Sequence, residues 1–165
     1  MSKVIVGIDP GQKGGLVTLD GTGYIVDMRP MPADPREVAT FLRLTKEACG
    51  LSKWELHVML EKAQSMPKQG IASAFTYGTH YGELRGILVA LELTHTLVPP
   101  SAWAKAMHAG TRAGEAKVRS MEAARRLKPT EPFKMASSRA GKPHDGLVDA
   151  YLIAEFGRRK LAGGV

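Results

Sequence analysis

Four carboxylates stand where a folded chain ordinarily has little use for a charge. Asp9 closes a short apolar run, Val4-Ile5-Val6-Gly7-Ile8-Asp9, just before the turn Pro10-Gly11. Glu61 closes a second such run, Val58-Met59-Leu60-Glu61, and Asp145 and Asp149 lie at the start of the last helix-like segment. A strand's last residue can face solvent at the sheet margin, so one acid alone carries little. Four together suggest a cluster of oxygen ligands, and hard oxygens are what Mg²⁺ takes.

The C-terminal pair is the most pointed. A helix over 145–156 turns about 100° per residue and gathers Val148, Leu152, Ile153 and Phe156 into one stripe. Asp145 and Asp149 fall inside that stripe. Burying unpaired carboxylates on a core-facing surface is costly, so a charge partner or a metal is expected. Asp145 could instead cap the helix, a position Asp favours, which leaves Asp149 without an account. A structural ion pair is the other reading, since perturbed carboxylates occur in both settings.

Positioning these acids requires a sheet and at least one packed helix. Residues 3–9, 15–19 and 23–28 read as three short strands, and their Gly-containing turns favour antiparallel neighbours. Pro35 opens a helix to about Ala48, with Val38, Phe41, Leu42 and Thr45 at helical spacing. A strand at 55–61, a long helix at 70–92 and a strand at 94–98 follow, the last stopped by Pro99-Pro100. Helices at 115–127 and 145–160 complete the order βββαβαβαα, which predicts an α/β fold with a mixed sheet flanked by helices. With strands 1 and 4 side by side, Asp9 and Glu61 emerge at neighbouring strand ends near the start of the last helix. Residues 129–143 are the one long irregular stretch, read as a mobile loop.

Size and charge set the outer limits. The 165 residues suit one domain with a sizeable core. A single cysteine, Cys49, excludes an internal disulfide framework, and His57, His80, His95 and His108 show no paired ligand spacing for zinc. No N-terminal stretch has the layout of a secretion signal. The longest apolar run, Gly86 to Leu93, is broken by Glu92 and too short to span a bilayer. The expectation is a soluble cytoplasmic protein, with no membrane partner. The net charge of +7 is lopsided: residues 1–102 carry ten basic and ten acidic side chains, residues 103–165 thirteen and six. One basic face for a polyanion, most often nucleic acid, is the functional reading. An ordinary solvated surface is the alternative.

Several segments resemble the RuvC-type Holliday junction resolvases of the ribonuclease H-like superfamily. They are Gly7-Ile8-Asp9-Pro10-Gly11, Leu60-Glu61-Lys62, and His144-Asp145-Gly146-Leu147-Val148-Asp149-Ala150. The blocks Gln64 to Gly70 and Tyr81 to Gly86, with the Pro99-Pro100-Ser101-Ala102-Trp103 turn, are similar to the chloroplast-type and phage-like subgroup. The resemblance runs over nearly the whole chain in the right order. It implies a ribonuclease H-like fold with a mixed five-stranded sheet, a single nuclease domain over 1–165, and a homodimer acting on four-way DNA junctions. Each subunit would nick one of two opposing strands in recombination and repair, with two Mg²⁺ ions (or Mn²⁺) per site. It also implies a place on cellular, organellar or phage DNA in the cytoplasm or nucleoid.

By the same resemblance Asp9, Glu61, Asp145 and Asp149 match the catalytic, metal-holding acids. Many bacterial members space the last two three residues apart; here they are four apart, as in the chloroplast-type subgroup. His144 precedes the pair and could substitute or assist. Two ions held by carboxylates supply an activated water and relieve charge on the leaving oxygen, which phosphodiester hydrolysis needs. Asp9, on a rigid central strand, is the natural bridging ligand. Lys105 and Lys117 match basic positions near the scissile phosphate, where a cation could neutralise developing charge; plain solvated lysines are the alternative. Lys62, Lys68, Gln69, Lys105, Lys117, Arg125 and Arg126 are the expected DNA contacts. Phe75 is read as core in preference to a base wedge. Gly78, Gly82 and Gly86 would line one helix face, packed on the sheet or on a partner subunit. The competing functions are a ribonuclease H-like nuclease on another structured or hybrid nucleic acid and a non-catalytic junction-binding protein.

Overall fold

In the computed structural model, residues 2–64, 70–134 and 141–164 are described. The chain runs β1 (Lys3–Asp9), β2 (Gly15–Leu19), β3 (Ile25–Pro30), α1 (Pro35–Leu51), β4 (Glu55–Glu61), α2 (Ile71–Ala90), β5 (His95–Val98), α3 (Pro100–Met107), α4 (Ala116–Leu127) and α5 (Asp145–Leu161). The sheet order is β3-β2-β1-β4-β5. The first three strands form an antiparallel meander, and β4 and β5 continue from β1 in parallel. This is the expected mixed five-stranded α/β sheet, with strands 1 and 4 adjacent.

Alternation along the central strands decides what each residue meets. Val6 and Ile8 of β1, with Val58 and Leu60 of β4, pack into one core with Val38 and Leu42 of α1 and Leu84 and Leu88 of α2. Ile5 and Met59 point the other way, into a core built with Trp103, Ala123, Tyr151 and Ile153. Successive strand residues face opposite sides, so Gly7 and Asp9 share the side of Ile5, and Glu61 shares that of Met59. The Ile8–Leu60 pair is the last of the β1–β4 register, and one step beyond it both strands end in a carboxylate. Both acids therefore face α3, α4 and α5.

Helix α5 lies directly on the sheet. A Cβ at Gly7 would overlap the Ala150 carbonyl oxygen, and one at Gly146 would overlap the Lys13 carbonyl. The helix is buried around nearly its whole circumference from Gly146 to Gly157, so it has no single core-facing stripe. Asp149 is half-buried, whereas Asp145, expected inside the buried stripe, keeps its side chain 54% exposed in the first turn. The cap is His144, whose Nδ1 accepts the Leu147 N–H at 3.3 Å.

Three further expectations change. The Pro99-Pro100 turn begins an eight-residue helix, α3; proline stops a strand but also fits the first helical position, so one signal served both. Phe75 is 76% exposed and not core. Gly78, Gly82 and Gly86 have no heavy atom within 4 Å of where a Cβ would sit, so they do not pack on the sheet. The stretch 129–143 is pinned at its edges. Phe133 is fully buried against Tyr151, ring centroids 5.1 Å apart, and its carbonyl accepts the His144 N–H at 2.7 Å; residues 135–140 lie outside the described residues. No helix among the described residues is long and apolar enough to cross a membrane.

Gly7→Ala is expected to lower unfolding free energy by about 1–3 kcal/mol, the usual cost of overpacking, because backbone cannot yield as a flexible side chain can. Urea denaturation of parent and variant checks this.

Candidate active site

At the carboxyl ends of β1 and β4, under the first turns of α5, three acids sit close enough to perturb one another. Burial raises the pKa of Asp9, opposed by the Gly11 N–H donated to its Oδ1 at 3.1 Å and by His144 nearby. Glu61 is pushed up to about 7, first by burial and then by Asp9 and Asp149; a 2.7 Å hydrogen bond from Trp103 Nε1 to its Oε2 works against the shift. Asp149 is pushed up to about 6 by burial, Asp9 and Asp145, while Ser120 and Lys117 favour its ionised form. Its Oδ1 is buried with no hydrogen-bond partner. Asp145 stands at the rim, where Lys117 Nζ meets its Oδ2 at 2.8 Å.

Two clefts flank the acids. One, of about 730 Å³, is lined by Arg112, Lys117, Val118, Met121, Arg125 and Lys142, and reaches Asp145. The other, of about 450 Å³, lies between the β1–β2 turn and the start of α2, with Gln12, Lys13, Ser73, Thr76 and Tyr77. Burial raises the Tyr77 hydroxyl to about 12, with Glu61 and Asp9 contributing, which places it beside the acids.

The structure thus gathers Asp9, Glu61 and Asp149, sets Asp145, Lys117 and His144 around them, and puts Arg125 in the adjoining cleft. Lys62 and Lys105 are exposed. Arg126 donates to the Ala109 carbonyl at 2.9 Å, on the α3–α4 connection. Lys68 and Gln69 lie outside the described residues. Sequence reasoning gave no role at the site to Trp103, Ser120, Arg112 or Lys142. Two of these carried a signal. A buried indole N–H needs an acceptor, and Ser120 is a hydroxyl on the Ala123–Ala124 face of its helix.

Among the described residues no three His, Cys, Asp or Glu side chains are close enough together to hold a metal ion as they stand. The donor set nevertheless suits a hard divalent cation: three carboxylates whose pKa values burial raises, with Asp9 and Asp149 adding to the shift at Glu61, and one buried carboxylate oxygen with nothing to bind.

No protein-family model matches the chain, and no curated protein matches it in sequence. Solved structures do match. Thermus thermophilus RuvC in complex with a Holliday junction substrate superposes with a TM-score of 0.58 over 98% of this chain and 97% of that one, at 17% identity. A second Thermus thermophilus RuvC structure gives 0.55 over the same shares, at 19% identity. The fold is RuvC-like. The RuvC likeness spans the meander, both parallel strands and the helices that carry the acids.

An acid raised in the folded state stabilises the fold only while protonated. Metal-free protein should therefore lose stability as pH rises between about 4 and 7, through the ordinary and the raised values. Asp149→Asn removes part of that penalty. In EDTA near pH 8 its melting temperature should exceed the parent's by a few degrees, with the gap narrowing near pH 5. Differential scanning calorimetry decides it, and an equal or lower value near pH 8 would contradict mutual repulsion among the acids.

Proposed function

We propose that this chain is a divalent-metal-dependent endodeoxyribonuclease that resolves four-way DNA junctions by paired nicks, acting in recombination and repair. The observation that carries the reading is the convergence of Asp9, Glu61 and Asp149 from two neighbouring strands and one helix, on one face of a RuvC-like fold. A basic cleft opens beside them.

On this reading Asp9, Glu61 and Asp149 hold two Mg²⁺ or Mn²⁺ ions, with Asp145 completing the set. Bound there, the ions supply an activated water and relief of charge on the leaving oxygen. The chain's own groups do the rest. The Gly11 N–H and the Trp103 indole fix one oxygen each of Asp9 and Glu61. Lys117 leaves Asp145 when a phosphate or metal competes for it, and its ammonium then faces the incoming backbone. Arg112, Arg125 and Lys142 track phosphates along the cleft, which positions DNA without reading its sequence. His144 stays beside Asp9 and assists by opposing its protonation.

A four-way junction presents two equivalent strands, and one set of acids cuts one strand at a time. A C₂ homodimer supplies two sites in the matching relation. The exposed face of α2 suits such a contact. Ile71 is 91%, Phe75 76% and Val89 65% exposed, and Gly78, Gly82 and Gly86 leave open space between them. Residues 1–165 act as a single nuclease domain, on DNA in a bacterial cytoplasm, an organelle or a phage-infected cell.

Asp9→Asn is expected to reduce Mg²⁺-dependent nicking of a four-way junction by at least about a hundredfold, while junction affinity in EDTA stays within about threefold, because phosphate contacts dominate affinity. Gel-based cleavage and mobility-shift assays read the two separately. Equal loss of binding and cleavage would reject this division, and cutting undiminished in EDTA would reject the metal. Gly82→Leu should fold, since the site is open and leucine favours a helix by about 0.8 kcal/mol over glycine, but should convert the dimer to a monomer. Light scattering with circular dichroism checks both halves.

A further inference from the structure

The supports of Glu61 and Asp149 come from two different helices, α3 and α4, and touch each other through His108. Trp103 of α3 donates to Glu61 Oε2 at 2.7 Å. Its ring forms a T-shaped pair with the imidazole of His108, the residue capping the same helix, with centroids 5.6 Å apart at 83°. His108 Nε2 lies 3.0 Å from the Ser120 hydroxyl on α4, and both residues are almost fully buried. Ser120 in turn lies close enough to Asp149 to favour its ionised form. The backbone of His108 is pinned as well, its carbonyl accepting from Thr111 N at 3.1 Å, Thr111 Oγ1 at 2.8 Å and Arg119 Nη2 at 3.3 Å.

We propose that Trp103, His108 and Ser120 form one positioning unit that aims Glu61 and Asp149 together at a divalent cation. A proton count makes this specific. The Ser120 hydroxyl has one hydrogen and two lone pairs. It can donate to Asp149 only if it accepts from His108, so His108 must carry its proton on Nε2. With the proton on Nδ1, the hydroxyl would turn to the ring, and Asp149 would lose its donor. Burial, with Arg119 beside it, lowers the imidazole pKa and so favours the neutral ring, which makes the tautomer the deciding variable. Groups that orient metal ligands in this way typically change affinity by about 10–100-fold when removed. The unit also ties the two acids to one short helix, so they move together or not at all.

The inference rests on Glu61 and Asp149 being metal ligands, and the test separates the two claims. Mn²⁺ titration of the metal-free protein by electron paramagnetic resonance reads affinity without turnover. Ser120→Ala and His108→Leu should each weaken Mn²⁺ binding about tenfold. Ser120→Thr and His108→Gln keep a hydroxyl and a side-chain N–H donor, and should recover most of it. Ser120→Ala binding Mn²⁺ as tightly as the parent overturns the unit alone. A parent that binds no Mn²⁺ overturns the ligand reading, and the unit with it. Nitrogen-15 NMR of the parent tests the proton count without any variant, so a variant that fails to fold leaves the claim exposed. An Nε2–H resonance for His108 supports it, and an Nδ1–H tautomer overturns it.

Discussion

Backbone-to-backbone contact between α5 and β1 is the constraint from which the site follows. At Gly7 no side chain separates helix from strand, and at Gly146 the helix start presses on the Lys13–Gly14 turn in the same way. A helix seated that deeply hangs Asp149 over the end of β1, within reach of Asp9. A single methyl at either glycine would overlap backbone, so the helix could not seat at this depth. Close packing and charge placement are therefore one problem here, solved by two missing side chains.

That geometry sets a conflict. Burial raises the pKa of Asp9, Glu61 and Asp149; Asp9 and Asp149 push Glu61 up further, and Asp9 and Asp145 do the same to Asp149. The fold tolerates the cluster because donors are spread around it: a turn N–H at Gly11, an indole at Trp103, a hydroxyl at Ser120 and an ammonium at Lys117. None neutralises the set. The two hydrophobic cores, one on each side of the sheet, offset the remaining repulsion. Such a site is preorganised for positive charge and costs stability without it.

How far residue order alone led is clear from particular elements. Strand runs ending in Asp9 and Glu61 could be read directly, because period-two burial and adjacent strands follow from apolar runs and short turns. The depth of α5 could not, since its burial on all sides erases the stripe from which facing is inferred, and Asp145 was placed too deep. Phe75 went astray for a related reason: α2 is apolar over much of its surface, so an outward phenylalanine looks like an inward one. The helix at Pro100 was hidden by the proline pair that ends β5. The link from Trp103 to Glu61 joins residues 42 positions apart, a pairing that only tertiary packing creates.

The way the acids are held bears on which ion the site would choose. Asp9 commits Oδ1 to Gly11, and Glu61 commits Oε2 to Trp103; Asp149 has one buried oxygen, Oδ1, with no partner. Asp9 and Glu61 are each anchored through one oxygen and offer the other, and Asp149 offers Oδ1. Single-oxygen coordination suits a small octahedral ion that retains its waters. It poorly suits Ca²⁺, which prefers six to eight oxygens and often takes both from one carboxylate. With a divalent ion bound, the same tethers would act as a size filter, disfavouring the larger cation, which gains most from taking both oxygens of one carboxylate.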